Sequence, residues 1–172
     1  MEDMVDAPGP SGIGEKAPGI EASKILVTGA EGYIGHVLSR RLMGMGYDVT
    51  GLDTGFYRQG LLYHDGSDQP RMLCRDIRRI RIEELCGFDA IIHLGELSND
   101  PLCEFDERTT YDINFKGSVA LAEKAKNAGV RRFIYSSSCS TYGASGDSER
   151  TETSSVDPQT AYARCKLLVE RD

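Results

Sequence analysis

Thr28-Gly29-Ala30-Glu31-Gly32-Tyr33-Ile34-Gly35, set between the apolar run Ile25-Leu26-Val27 and a helical pattern, decides the fold. In such a place the first glycine permits a tight turn out of a strand and the second lets backbone approach a pyrophosphate with no Cβ in the way. The third packs a helix against a sheet. The unpaired N–H groups that open the helix are an anion site. A glycine triplet alone is a weak signal, because any tight strand-to-helix turn favours glycine. The flanks strengthen it here: Ile34, Leu38, Leu42 and Met45 recur on one helical face, and Gly46 supplies a stop. A second strand, Val49 to Leu52, then ends at Asp53, where a carboxylate can hold a ribose diol.

From Lys24 onward strand and helix signals alternate. Met72-Leu73-Cys74 reads as a third strand, Ile82 to Leu85 as a short helical stretch, and Ala90-Ile91-Ile92-His93-Leu94 as a buried strand. A long helix is expected between Asp106 and Ala128, with Val119, Leu121, Ala122 and Ala125 inward and Gly129 as its stop. Arg132-Phe133-Ile134-Tyr135 reads as a fifth strand ending in Ser136-Ser137-Ser138, and a last helix is expected from Pro158. Repeated βα units of this length predict an α/β fold with a doubly wound parallel sheet, whose ligands lie at the carboxyl ends of the strands. Residues 1–23 carry Pro8, Gly9, Pro10, Gly12, Gly14, Pro18 and Gly19 and read as a flexible tail. Residues 24–172 read as one domain.

The charge balance bounds the partners. A formal net charge of −7 argues against nucleic acid or an anionic membrane surface, and no apolar run approaches the ~20 residues of a membrane span. Arg75, Arg78, Arg79 and Arg81 are interrupted or followed by Asp76, Glu83 and Glu84, which makes them a solvated mixed-charge face. Cys74, Cys86, Cys103, Cys139 and Cys165 are odd in number and widely spaced, so neither a metal site nor a disulfide framework is indicated. With no charged-then-apolar leader, the expected home is the reducing cytoplasm.

The chemistry is expected at the strand ends. Tyr162 and Lys166 are four apart, on one face of a helix, and an ammonium beside a phenol stabilises the phenolate. By itself this spacing is common. The serine run about twenty residues earlier adds weight, since a hydroxyl such as that of Ser138 can hydrogen-bond the same reacting oxygen.

Together these segments resemble an extended short-chain dehydrogenase/reductase of the NAD-dependent nucleotide-sugar epimerase/dehydratase group, from about Lys24 to the last residue. The resemblance implies a Rossmann fold and NAD as cofactor, held by Gly29, Gly32 and Gly35 with Tyr33 and Ile34 in the same loop. Asp53 stands where NAD-preferring members hold the adenosine ribose, and Arg75-Asp76-Ile77 is similar to the adenine-contacting segment. His93-Leu94-Gly95-Glu96 resembles the fourth-strand motif that borders the cofactor and more often ends in two small residues, so Glu96 is a departure. Asn114-Phe115-Lys116-Gly117 is similar to a structural motif of the next helix, and Asn114 counts with Leu94, Gly95 and Ser136 among the implied cofactor-site residues. Ser138, Tyr162 and Lys166 fall at the catalytic positions, Tyr162 and Lys166 also touching cofactor.

The same resemblance implies roles and partners. Tyr162 would take a proton from a sugar hydroxyl, Lys166 would hold the phenolate charge and bind the nicotinamide ribose, and Ser138 would orient the substrate oxygen. Dehydratases of the family carry an Asp-Glu pair where this chain has Cys139 and Ser140, which favours epimerisation or simple oxidoreduction of a nucleotide sugar. A homodimer is within the family's habit for full-length members. The family continues well beyond Lys166, whereas this chain ends at Asp172. The expectation is a sheet incomplete at its C-terminal end, no substrate domain, and reduced or absent turnover. A nucleotide-binding regulatory module without turnover is the alternative.

Four further features are ambiguous in the sequence. Tyr33 and Tyr142 suit either ligand contact or packing, and His93 reads as a satisfied core histidine. Ser98-Asn99-Asp100-Pro101 reads as a turn. Residues 144–157 read equally as an active-site lid or a plain surface loop.

Overall fold

The computed structural model describes residues 23–58, 69–144 and 149–172. The expected tail, except Ser23, and residues 145–148 of the expected lid or loop lie outside the described residues. Five strands, β1 (Lys24–Thr28), β2 (Asp48–Asp53), β3 (Arg71–Cys74), β4 (Ala90–His93) and β5 (Arg132–Tyr135), form one parallel sheet in the order β3-β2-β1-β4-β5. The chain builds outward from β1 to β3 and then returns to place β4 on the other side of β1. The crevice at the carboxyl ends of β1 and β4 is therefore the switch point where such sheets bind ligands.

Alternation along β1 gives each face its own core. Leu26 joins Leu52, Ile77, Ile80 and Ile91 with Leu121 and Ala125 of α4 (Ser118–Asn127). Ile25 and Val27 pack on the opposite face with Val49, Leu42 and Met43. Helix α1 (Tyr33–Gly44) departs from the expected stripe: Gly35 and Ser39 are its buried residues, while Ile34 and Met45 are exposed. The cause is steric. A Cβ on Gly35 would lie 2.0 Å from the Gly29 carbonyl oxygen, so only the glycine edge of the helix can rest on the turn. That rotation carries Ile34 out toward the crevice.

The helix expected over 106–128 forms, with a π-helical stretch inside it. Helix α2 (Asp100–Phe105) precedes it, and α3 (Glu107–Thr110) runs through a π-helical stretch, Tyr111–Gly117, into α4. Asp106 opens the run, as expected, because its carboxylate accepts the Thr109 N–H and caps α3. Asn99 likewise accepts the Leu102 N–H, so Ser98–Pro101 is the start of α2 and not a plain turn. The last helix, α5 (Ala161–Arg171), begins three residues after Pro158 because Thr160 caps it at Ala163 N. Glu104 of α2 accepts the Ala161 N–H at 2.5 Å. Arg164 donates to the Tyr111 hydroxyl at 3.1 Å and pairs with Glu107. Those three ties fix the first turn of α5, and Tyr162 with it.

Candidate active site

The turn after β1 is held against β4. Gly29 takes φ +68°, and a Cβ there would come within 2.9 Å of the Leu94 and Gly95 backbone. Glycine is thus demanded twice, by conformation and by space. At the end of β2 the Asp53 carboxylate accepts N–H bonds from Glu31 (3.1 Å) and Gly55 (3.0 Å). A carboxylate has about four lone-pair sites. Asp53 is therefore aimed and still able to accept a diol. Beyond it, Arg58 pairs with Glu31 at 2.7 Å, and Arg78 binds Asp76 through Nε and Nη2. That pairing holds the Asp76 carboxyl below its ordinary 3.8.

A cavity of about 490 Å³ runs from Asp53, Asp76 and Ile77 past the glycine turn and Leu94 to Ser136, Tyr162 and Lys166. Gly29, Gly32, Tyr33, Ile34, Gly35, Gly95 and Glu96 also line it, so all but one of the expected cofactor-site residues share one space. Asn114 does not line it. It is fully buried in the π-helical stretch, where its amide donates to Leu97 O (2.8 Å) and accepts from Leu97 N (2.9 Å). Asn114 therefore shapes the loop after β4 and does not face the cavity.

Ser138 lies just outside the cavity lining. Its hydroxyl accepts from Ser140 N (3.2 Å) and Ser140 Oγ (2.8 Å), which leaves its own proton for the Tyr162 phenol. Burial first and the Glu96 carboxylate second raise the Tyr162 pKa, while Ser138 lowers it. Lys166 is almost wholly buried. Its Nζ donates to Ser136 O at 2.5 Å, pairs with Glu96 Oε2 at 2.7 Å, and sits 5.3 Å from the Tyr162 ring centre.

His93 is the core histidine the sequence suggested, completely buried between Thr28 and Ser118. Tyr33 lines the cavity, whereas Tyr142 does not. Sequence reasoning missed Phe56 and Tyr57, exposed aromatic side chains at the cavity mouth directly after Asp53, a position that was itself the available signal. It also missed Thr28, Ser118 and Glu104, whose roles come from partners distant in sequence.

A parallel sheet with a glycine-lined turn at its switch point, a carboxylate at the end of β2 and a Tyr-Lys pair across the crevice defines a dinucleotide-binding Rossmann protein. The chain belongs to the NAD dependent epimerase/dehydratase family, whose model matches residues 25–172. It is 30% identical over 155 residues to a UDP-glucose 4-epimerase of Streptomyces lividans, covering 87% of this chain and 46% of that one. It is 32% identical over 153 residues to a UDP-glucose 4-epimerase of Mycolicibacterium smegmatis, covering 86% and 49%. Among solved structures it is similar to DesIV, a dTDP-glucose 4,6-dehydratase from Streptomyces venezuelae with NAD bound. That likeness has a TM-score of 0.78 and 30% identity, over 86% of this chain and 49% of that one. A UDP-glucose-4-epimerase from Stenotrophomonas maltophila with bound NAD gives a TM-score of 0.73 and 29% identity, over 87% and 47%. The chain spans about half the length of the curated relatives it matches.

Proposed function

We propose that this chain binds NAD in the cavity and serves the hydride and proton chemistry of a nucleotide-sugar epimerase. The observation that carries the reading is the single cavity joining the glycine turn and Asp53 to Tyr162 and Lys166. Its fit to a dinucleotide rests on Gly29 and Gly35, where a Cβ would collide with backbone, and on the twice-anchored Asp53 carboxylate. When bound, NAD supplies an acceptor for the hydride of a sugar carbon.

The chain's own residues then divide the work. Helix α1 offers its N-terminal N–H groups to the pyrophosphate, and Asp53 accepts from the adenosine ribose. Tyr162 moves the proton of the sugar hydroxyl, Ser138 orients the same oxygen by turning its proton from the phenol to it when substrate is present, and Lys166 supplies the nearby positive charge. Cys139 and Ser140 bring no carboxylic acid to the sugar, and Ser140 is engaged in holding Ser138, which supports epimerisation over dehydration. The substrate is a nucleotide sugar, the setting is the reducing cytoplasm, where five unpaired cysteines are at home, and a homodimer is the proposed assembly of the full-length protein. Nucleic acid is not a proposed partner, given the net charge of −7. No helix among the described residues is long and apolar enough to cross a membrane.

A second reading, a nucleotide-binding module with little or no turnover, is favoured by one observation: Glu96 occupies the Lys166 ammonium. Interconversion of UDP-glucose and UDP-galactose, measured beside NAD binding, separates the two. In a full-length version of the protein, epimerisation predicts turnover that falls by about 10²-fold or more in Tyr162→Phe while NAD affinity holds. NAD binding without turnover in that full-length protein would favour the second reading.

A further inference from the structure

Glu96 stands where the chain departs from its family's pattern of small residues, and its side chain is only 2% exposed. Its surroundings follow from hydrogen-bond direction. Thr28 Oγ1 accepts the N–H groups of Leu94 (3.1 Å) and Gly95 (2.9 Å), so its own proton points to His93 Nδ1 at 2.6 Å. His93 therefore carries its proton on Nε2 and donates to Ser118 Oγ at 2.8 Å. Ser118 in turn donates to Glu96 Oε1 at 3.2 Å. Every bond in this buried chain points the same way, and its last oxygen can only accept. The other Glu96 oxygen faces the Lys166 ammonium, itself only a donor, at 2.7 Å. The 3.9 Å approach of His93 Nε2 to Glu96 is not an ion pair, because burial and the Lys166 charge push His93 down to about 3 and leave it neutral.

We propose that Glu96 is a positioning residue that takes up the charge of Lys166 and so keeps Tyr162 a neutral phenol in the resting site. An ionised Tyr162 would be a second anion sharing one ammonium with Glu96. The groups facing Tyr162 agree. Glu96 after β4 and Asp100 and Cys103 on α2 oppose ionisation, Tyr135 on β5 is itself held neutral by burial and by Glu96, and Ser138 alone favours it by a hydrogen bond. Lys166 is the remaining charge, and it is engaged. In a site with a small residue at position 96, the same ammonium would be free to stabilise the phenolate. The position thus sets the pH at which the Tyr-Lys pair can accept a proton.

The proposal rests on Tyr162 and Lys166 being the proton-transfer pair, yet its test reads the phenol directly and needs no turnover. The 172-residue chain is labelled with ¹³Cζ-tyrosine, and the Tyr162 resonance is identified by its loss in Tyr162→Phe. In the unaltered chain Tyr162 should titrate above the ~10 of a free tyrosine. In Glu96→Gln its midpoint should fall by about one pH unit or more. Glu96→Ala, which restores a small side chain, should move it the same way and serves if the glutamine variant does not fold. A midpoint unchanged or raised in either folded variant overturns the proposal. Full turnover by Tyr162→Phe would instead overturn the proton-transfer role, whatever the titration shows.

Discussion

The two ends of the cavity hold ion pairs of the same chemistry in opposite surroundings. Near Asp53, the Arg58 and Arg78 side chains are 54% and 39% exposed, although their partners Glu31 and Asp76 are only 9% and 23% exposed. At the other end Lys166 and Glu96 are 5% and 2% exposed. Pairs open to water contribute ~0–1 kcal/mol, because solvent and salt screen them and two long side chains must be held still. A sealed pair adds little net stability as a pair, yet removing one partner strands the other charge at a cost of about 3–5 kcal/mol. At the first end the cations stay open to water, so the Arg78–Asp76 pair can be altered with less consequence for folding than the Lys166–Glu96 pair.

The largest expected effect tests that contrast. Lys166→Met should destabilise the protein by about 3–5 kcal/mol in urea unfolding, since Glu96 is left buried and unpaired. Adding Glu96→Gln should recover much of the loss, a coupling visible in a double-mutant cycle. Strictly additive losses would place the two side chains out of contact.

A smaller effect comes from His93, at the same sealed end. The folded protein holds this base neutral down to about 3, whereas the unfolded chain binds its proton near 6.5. Stability is therefore complete above pH 6.5 and drains away as pH falls toward 3, by about 2 kcal/mol at pH 5. His93→Asn should remove one proton from that slope. An unchanged pH dependence would show that His93 is charged in the fold.

The smallest effect belongs to the open end. Asp76→Asn should cost less than ~1 kcal/mol and fade in high salt. Arg78 depresses the folded Asp76 below 3.8, so whatever it contributes is present above pH 3.8 and lost as pH falls further. A loss of several kcal/mol would erase the contrast between the two ends.

The open end was also the end the sequence made legible. Gly29, Gly35 and Asp53 are read from residue type and short spacing, because a turn needs glycine and a diol needs an acceptor whatever the rest of the chain does. The five strands were equally legible from apolar runs between turn residues. The sealed end was not. Glu96 was visible as a departure, but its partners Ser118 and Lys166 lie 22 and more positions away, and only the closed sheet brings them together. The start of the long helix at Asp106 was legible, whereas its π-helical stretch was hidden because the apolar pattern continues across it. That Asn114 holds the loop after β4 was not legible, because a buried amide satisfying a loop and one touching a ligand look alike in sequence.

The central claim is that this cavity is an NAD site whose Asp53 end receives the adenosine ribose. Calorimetric titration of the chain with NAD and with NADP tests it most directly. Asp53 accepts from a free diol and repels a 2′-phosphate, so NAD should bind at least about tenfold more tightly, ~1.4 kcal/mol, and Asp53→Ala should narrow the gap. Equal affinities for the two cofactors, or a gap untouched by Asp53→Ala, would contradict it.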